Sequence, residues 1–191
     1  MRFADAEVLP FDFSNFSNTV QMYATEVKKE LETVRTKAED HNKLMAESRF
    51  EAVADPKDTF VKPVKMDVAP FMNFAPLENA LATLEKSAVA YAKASGNVAG
   101  VSVDKLAKLN EILYKTERNL IHPEGLPRRP WYKHQIYAPG FYTGYGVKTL
   151  PMIREAIEQR NWAEAEQGIL RVSENLKKYT AEIDKATELL K

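Results

Sequence analysis

A metal site needs donors that share a face, and the three histidines, His41, His122 and His134, stand in neither His-x-x-x-His nor Glu-x-x-His spacing. No metal site is expected from this chain alone. It also lacks cysteine, which removes disulfides, thiolate nucleophiles and cysteine-held zinc together. His41 reads as part of a charged helix surface, and His134, between Lys133 and Gln135, as a hydrogen-bonded structural residue. Acid and base catalysis needs two titrating groups with separated pKa values in one cleft, yet no charged side chain occurs from Gln135 to Val147. Glu124 and Asp104 read as turn and helix-surface residues. A Gly-x-Ser-x-Gly nucleophile turn is missing too. No catalytic residue is assigned, and the chain by itself is not expected to be a complete enzyme.

Recognition chemistry remains. Residues 121–151, IHPEGLPRRPWYKHQIYAPGFYTGYGVKTLP, hold five of the ten prolines and four of the seven glycines, which excludes a helix there. So long a loop is uncommon unless functional or disordered, and this one is too aromatic to be disordered, so an ordered lobe is expected. Its run Pro139-Gly140-Phe141-Tyr142-Thr143-Gly144-Tyr145-Gly146 allows two readings. It is either a packed loop or a binding edge. In the second, tyrosines offer apolar area plus a hydroxyl, and glycines let the backbone approach a partner closely.

The elements that must hold this lobe are helical. Val20, Tyr23, Val27, Leu31, Val34 and Ala38 continue from Phe16 in steps of three and four, predicting a long helix. Ser14 or Asp12 can cap it, and it should run to the mid-forties or slightly beyond, before Asp55-Pro56. Residues 56–75 carry Pro56, Pro63 and Pro70, and read as a connector laid across the helices through Phe60, Val64, Phe71 and Phe74. Pro76 suits the first turn of a second helix with the stripe Leu77, Leu81, Leu84, Ala88 and Tyr91, ended by Gly96 in a left-handed conformation. Ser102 caps a third helix with Leu106, Leu109, Leu113 and Leu120 inward. Pro151 opens a short helix with Ile153 and Ile157. Asn161 caps the last, whose face runs Trp162, Ala165, Ile169, Val172, Leu176, Tyr179, Ile183, Ala186 and Leu190. A repeat of about 3.5 residues favours side-by-side packing, so the expected class is all-α, a four-helix up-and-down bundle with a long loop before the last helices. Two chains can also bury such stripes against each other, so dimerisation is compatible with them.

The 191 residues suit one domain, and 27 basic against 27 acidic side chains leave no net field for nucleic acid or an anionic membrane. No apolar run has signal-peptide or membrane-spanning length. An extended lead-in from Arg2 suits either the edge of a longer chain or a natural start at Met1. The sequon Asn15-Phe16-Ser17 is weak, because Phe16 begins the buried stripe.

The loop motif Gly125-Leu126-Pro127-x-Arg129-Pro130-Trp131-Tyr132-Lys133-His134-x-Ile136-Tyr137-Ala138-Pro139, with Leu9-Pro10-Phe11-Asp12 before a long helix, resembles the transferrin receptor-like dimerisation domain. This is the C-terminal helical domain of the glutamate carboxypeptidase II family, and the likeness covers nearly the whole chain. The resemblance implies one domain over residues 1–191 that builds homodimer contacts. Peptidase and protease-associated domains are expected upstream, outside this chain. Zinc and the catalytic groups would belong to that peptidase domain, in a parent exported or anchored to a membrane. The resemblance further implies that the loop lines the substrate pocket, where a Lys-Tyr pair holds the C-terminal carboxylate side. Its tyrosine falls on Tyr145 and its lysine on Gly144, with Lys148 as a substitute to test and Tyr142 and Phe141 shaping the rim. Substrates would be peptides, with an acidic C-terminal residue in the family's own pattern. The alternative implied by the receptor branch is an interaction module whose parent has no peptidase function.

Overall fold

The structure is a computed structural model that describes residues 6–55, 57 and 59–191. Helix α1 spans Phe13–Ala46, and Asp12 caps it, its carboxylate accepting from Asn15 N at 2.9 Å. Val20, Ala24, Val27, Leu31 and Ala38 form its buried face. The helix ends in the mid-forties, as expected. Ser48 takes a left-handed φ of 53°, and a single turn, α2 (Arg49–Ala52), follows. Pro56 lies outside the described residues.

Helix α3 spans Ala75–Ser95 with Pro76 in its first turn, and Leu77, Leu81, Leu84, Ala88 and Tyr91 are all buried. Gly96 does not take the expected left-handed conformation, since its φ is −68°. The reversal falls instead at Gly100, with φ 88°, after Asn97 Oδ1 accepts from Ala99 N. Ser102 then caps α4 (Val103–Lys115), its hydroxyl accepting from Lys105 N, and Leu109 and Leu113 face inward. A 3-10 segment, Thr116–Leu120, continues it.

Beyond the loop, α5 (Pro151–Glu158) buries Ile153 and Ile157, and Asn161 caps α6 (Trp162–Leu189) by accepting from Glu164 N. Residues Ala165, Ile169, Val172, Leu176, Tyr179, Ile183 and Ala186 of α6 are buried. This helix packs on α3, α4, α5 and the 3-10 segment, while α1 packs on α3 and α5. Among the described residues the fold is thus mostly helical, and a small two-stranded hairpin departs from the all-α expectation. Among the described residues no helix is long and apolar enough to cross a membrane.

The connector docks differently from the sequence expectation. Phe60, Val64 and Phe71 are exposed, and the buried side chains are Ala69, Met72 and Phe74. Polar groups of α1 decide this. Asn42 exchanges two 2.8 Å bonds with the Met66 backbone, His41 meets Val64 O, and Arg35 donates to Ala69 O and Pro70 O. Holding the carbonyls toward α1 sets which residues face inward, so a bulky apolar residue is left outside. Met72→Ala should therefore cost about 2–5 kcal/mol, and Phe71→Ala no more than about 0.5 kcal/mol, in urea unfolding followed by circular dichroism.

Candidate functional site

From Leu120 to Gln135 the loop runs out and back on backbone hydrogen bonds: Gln135 N to Leu120 O, His122 N to Lys133 O and Leu126 N to Tyr132 O. Gly125 sits in the fold of this excursion with φ 69°, where a Cβ would lie 2.2 Å from Pro130 O. Only glycine fits there. Helix α6 holds the excursion through a polar stripe. Glu164 takes Arg128 in two 2.8 Å bonds, Arg171 donates to Gly125 O and Glu124, and Asn175 donates to Asn119 O and Ile121 O. Spacings of seven and four put these residues on one face.

Strand β1 (Tyr137–Pro139) then pairs antiparallel with β2 (Val147–Thr149), Ala138 opposite Lys148. Residues 140–146 form the tip. Gly140 N donates to Gly146 O at 2.8 Å and Gly144 N to Gly140 O at 3.1 Å. A Cβ at Gly140 would fall 2.1 Å from Thr143 Oγ1, so a side chain there would require the Thr143 hydroxyl to move from its bond to Gly146 O.

Beneath the tip lies a buried ion pair. Arg129 Nη2 donates to Glu155 Oε2 at 2.9 Å, and the other carboxylate oxygen accepts from Phe141 N at 2.8 Å. Both side chains are at least nine-tenths buried. Arg129 Nε and Nη1 find no acceptor among the described residues, and the rings of Tyr132 and Phe141 each lie 5.9 Å from its guanidinium. The Phe141 ring also stands 5.8 Å from the Arg128 guanidinium and edge-on to Tyr142 at 4.8 Å. One aromatic side chain and one backbone N–H thereby fasten the tip to the lobe.

The tip tyrosines face outward: Tyr142 is 74% exposed and Tyr145 fully so. Lys148 is elsewhere. Its half-buried side chain donates through Nζ to Glu158 of α5 at 2.6 Å. A cleft of about 380 Å³ under the hairpin includes Glu26, Thr143, Lys148 and Arg154 in its lining, but neither Tyr142 nor Tyr145. Arg154 is also committed, to Glu26 at 3.0 Å and to Thr149. The structure therefore groups Tyr142 and Tyr145 on the tip and ties Lys148 to α5.

Glu155 stands in no motif or spacing that marks it in the sequence. Its one signal was a carboxylate inside the apolar run Pro151, Met152, Ile153, Ala156 and Ile157, all of which are buried.

The histidines take structural places. His41 meets a backbone carbonyl, and His122 Nδ1 accepts from Glu124 N. His134 Nδ1 accepts from Ile136 N and Tyr137 N, both at 3.3 Å, while its Nε2 faces Glu117 at 3.6 Å and its ring packs on Tyr137. Among the described residues no group of three or more His, Asp or Glu is placed to hold a metal ion. These residues would not hold the zinc, which the resemblance places in a peptidase domain outside this chain.

Burial holds the His134 imidazole below the usual histidine range, against the opposing pull of Glu117. A proton on Nδ1 would also confront two N–H donors. The unfolded chain therefore binds a proton more readily than the folded one. This contribution to stability is complete above the ordinary value of about 6.5 and is lost as pH falls through the lower folded value. His134→Asn, which keeps an acceptor near Nδ1, should lose less stability than the native chain between about pH 7.5 and pH 5 in urea unfolding. Glu155→Ala, which strands the buried guanidinium, should cost about 3–5 kcal/mol in the same measurement.

Comparison with known proteins covers most of this architecture. Residues 72–184 match the transferrin receptor-like dimerisation domain family. A probable glutamate carboxypeptidase of Arabidopsis thaliana is 29% identical over 180 residues, 91% of this chain and 21% of the relative. A probable glutamate carboxypeptidase of Arthroderma benhamiae is 30% identical over 170 residues, 89% of this chain and 19% of the relative. The chain thus spans about a fifth of the length of these curated relatives.

Proposed function

The chain belongs to the transferrin receptor-like dimerisation domain family, and from that premise we propose that it is the dimer-building, pocket-lining domain of a zinc-dependent carboxypeptidase. The observation that carries this reading is an exposed aromatic tip, rigidly fastened from below, on a domain that spans about a fifth of relatives named as probable glutamate carboxypeptidases. A fully exposed tyrosine on a rigid support suits contact with something outside this chain. In this reading residues 1–191 are one domain, α1, α3, α4 and α6 are its four-helix up-and-down bundle, and the lobe of residues 121–151 faces the parent's own peptidase domain. Zinc and the bond-breaking groups are supplied there.

Within the pocket, Tyr145 donates its hydroxyl to the terminal carboxylate of the substrate peptide, and Tyr142 with Phe141 shapes the rim. Lys148 contributes indirectly, by holding β2 on Glu158. Light scattering of the full-length protein should give twice the protomer mass. The zinc-loaded full-length enzyme carrying Tyr145→Phe should show a KM raised about tenfold with kcat changed less than about twofold, as expected when a uniform binding contact is lost. An unchanged KM removes Tyr145 from the pocket. A zinc-loaded protein that dimerises but hydrolyses no dipeptide favours the receptor-like module instead.

A further inference from the structure

Where the chain enters β1, one side chain does the work of a backbone carbonyl. Ile136 is buried, and among the described residues the only acceptor for its N–H is His134 Nδ1 at 3.3 Å. The same nitrogen accepts from Tyr137 N, also at 3.3 Å. An imidazole nitrogen that accepts carries no proton, so the neutral ring is protonated on Nε2, which is buried and faces Glu117 at 3.6 Å. The 3-10 segment thus sets Glu117 against the ring. From β1 comes Tyr137, its ring centroid 4.3 Å away and its hydroxyl donating to Glu117 at 3.5 Å. Helix α6 adds Tyr179 within reach of Glu117, its hydroxyl held neutral mainly by burial. The Glu117 side chain is 64% exposed, so water screens its pull on the imidazole.

A proton on Nδ1 turns this acceptor into a donor set against two N–H groups, and it leaves the Ile136 N–H buried without a partner. The rest of the hairpin does not use that nitrogen. Leu150 N donates to Ile136 O, Phe141 N to Glu155 and Lys148 to Glu158. We propose that His134 is an acid-released latch at the root of the hairpin. Neutral, it pins Ile136 and Tyr137 to the turn that leaves the lobe, and a proton taken from solvent onto Nδ1 opens this root while Glu155 keeps the tip. The latch lies wholly within this chain and is independent of what the tip touches. In the open root the imidazole regains water and its ordinary affinity for a proton, near 6.5. Opening therefore takes up a proton that the closed root refuses, and its equilibrium constant rises about tenfold from about pH 7.5 to about pH 5.5.

Hydrogen exchange of the full-length protein, read by mass spectrometry at exchange times scaled for the intrinsic pH dependence, tests this. Protection of the amides at 136–138 should fall about five- to tenfold over that range, while peptides from α6 keep theirs. His134→Asn, which accepts without titrating, should make protection there independent of pH. Unchanged protection in the native protein overturns the latch, and so does a fall that His134→Asn retains. Should His134→Asn not fold, the location decides. A fall confined to residues 134–138 sustains the latch, and one centred elsewhere, such as residues 122–126, where His122 Nδ1 accepts from Glu124 N, overturns it.

Discussion

Taking a guanidinium and a carboxylate out of water costs several kcal/mol for each ion, and the geometry between them must offset it. Arg129 and Glu155 offset part of it with a 2.9 Å bond, two flanking rings and a backbone N–H on the second carboxylate oxygen, while Arg129 Nε and Nη1 find no acceptor among the described residues. Because Arg129 comes from the excursion, Phe141 from the hairpin and Glu155 from α5, the pair ties two segments with little apolar core of their own to a helix seated in the main core. The second core cluster, Leu126, Ala138 and Met152, has only three residues drawn from the same segments. A buried charge with one correct partner tolerates few alternative arrangements, which is how a loop of this length holds a single shape.

Helix α6 carries the rest through two faces that do different work. Its apolar stripe packs the helices, and its Glu164, Arg171 and Asn175 satisfy backbone carbonyls and charges of the excursion. Gly168 lies between them in sequence, and a Cβ there would come within 2.9 Å of Ile153, so α5 can lie close against α6. The turn joining these helices is closed by Arg160 with φ 58°, Asn161 N reaching Ala156 O and Arg160 N reaching Ile157 O. The hairpin is therefore placed by a continuous path from the main core through α6 and α5 to Glu155.

Much of the helical frame was legible in the residues. Stripes repeating every three to four positions at Leu77–Tyr91 and Ala165–Ala186 became buried faces, and Asp12, Ser102 and Asn161 became caps, because both signals depend on neighbours within a turn or two. Legibility failed where distant groups intervened. Gly96 was available for a left-handed turn but the chain turned at Gly100, and arginine rather than glycine closes the α5–α6 turn. In the connector, hydrogen bonds from Asn42, His41 and Arg35 outweighed hydrophobicity and left Phe71 outside.

The sequence by itself determined the helix positions, the absence of cysteine and of ligand-spaced histidines, and an ordered lobe at residues 121–151, because propensity, periodicity and proline or glycine constraints act locally. It also carried the family, through a motif long enough to identify. Only the tertiary structure decided that Lys148 belongs to Glu158, that Glu155 is the anchor of the hairpin tip, and that Tyr142 and Tyr145 stand clear of both. Those outcomes depend on which charges meet across 10 to 26 residues of sequence, and a pairing of that kind is settled by burial and distance once the chain has folded.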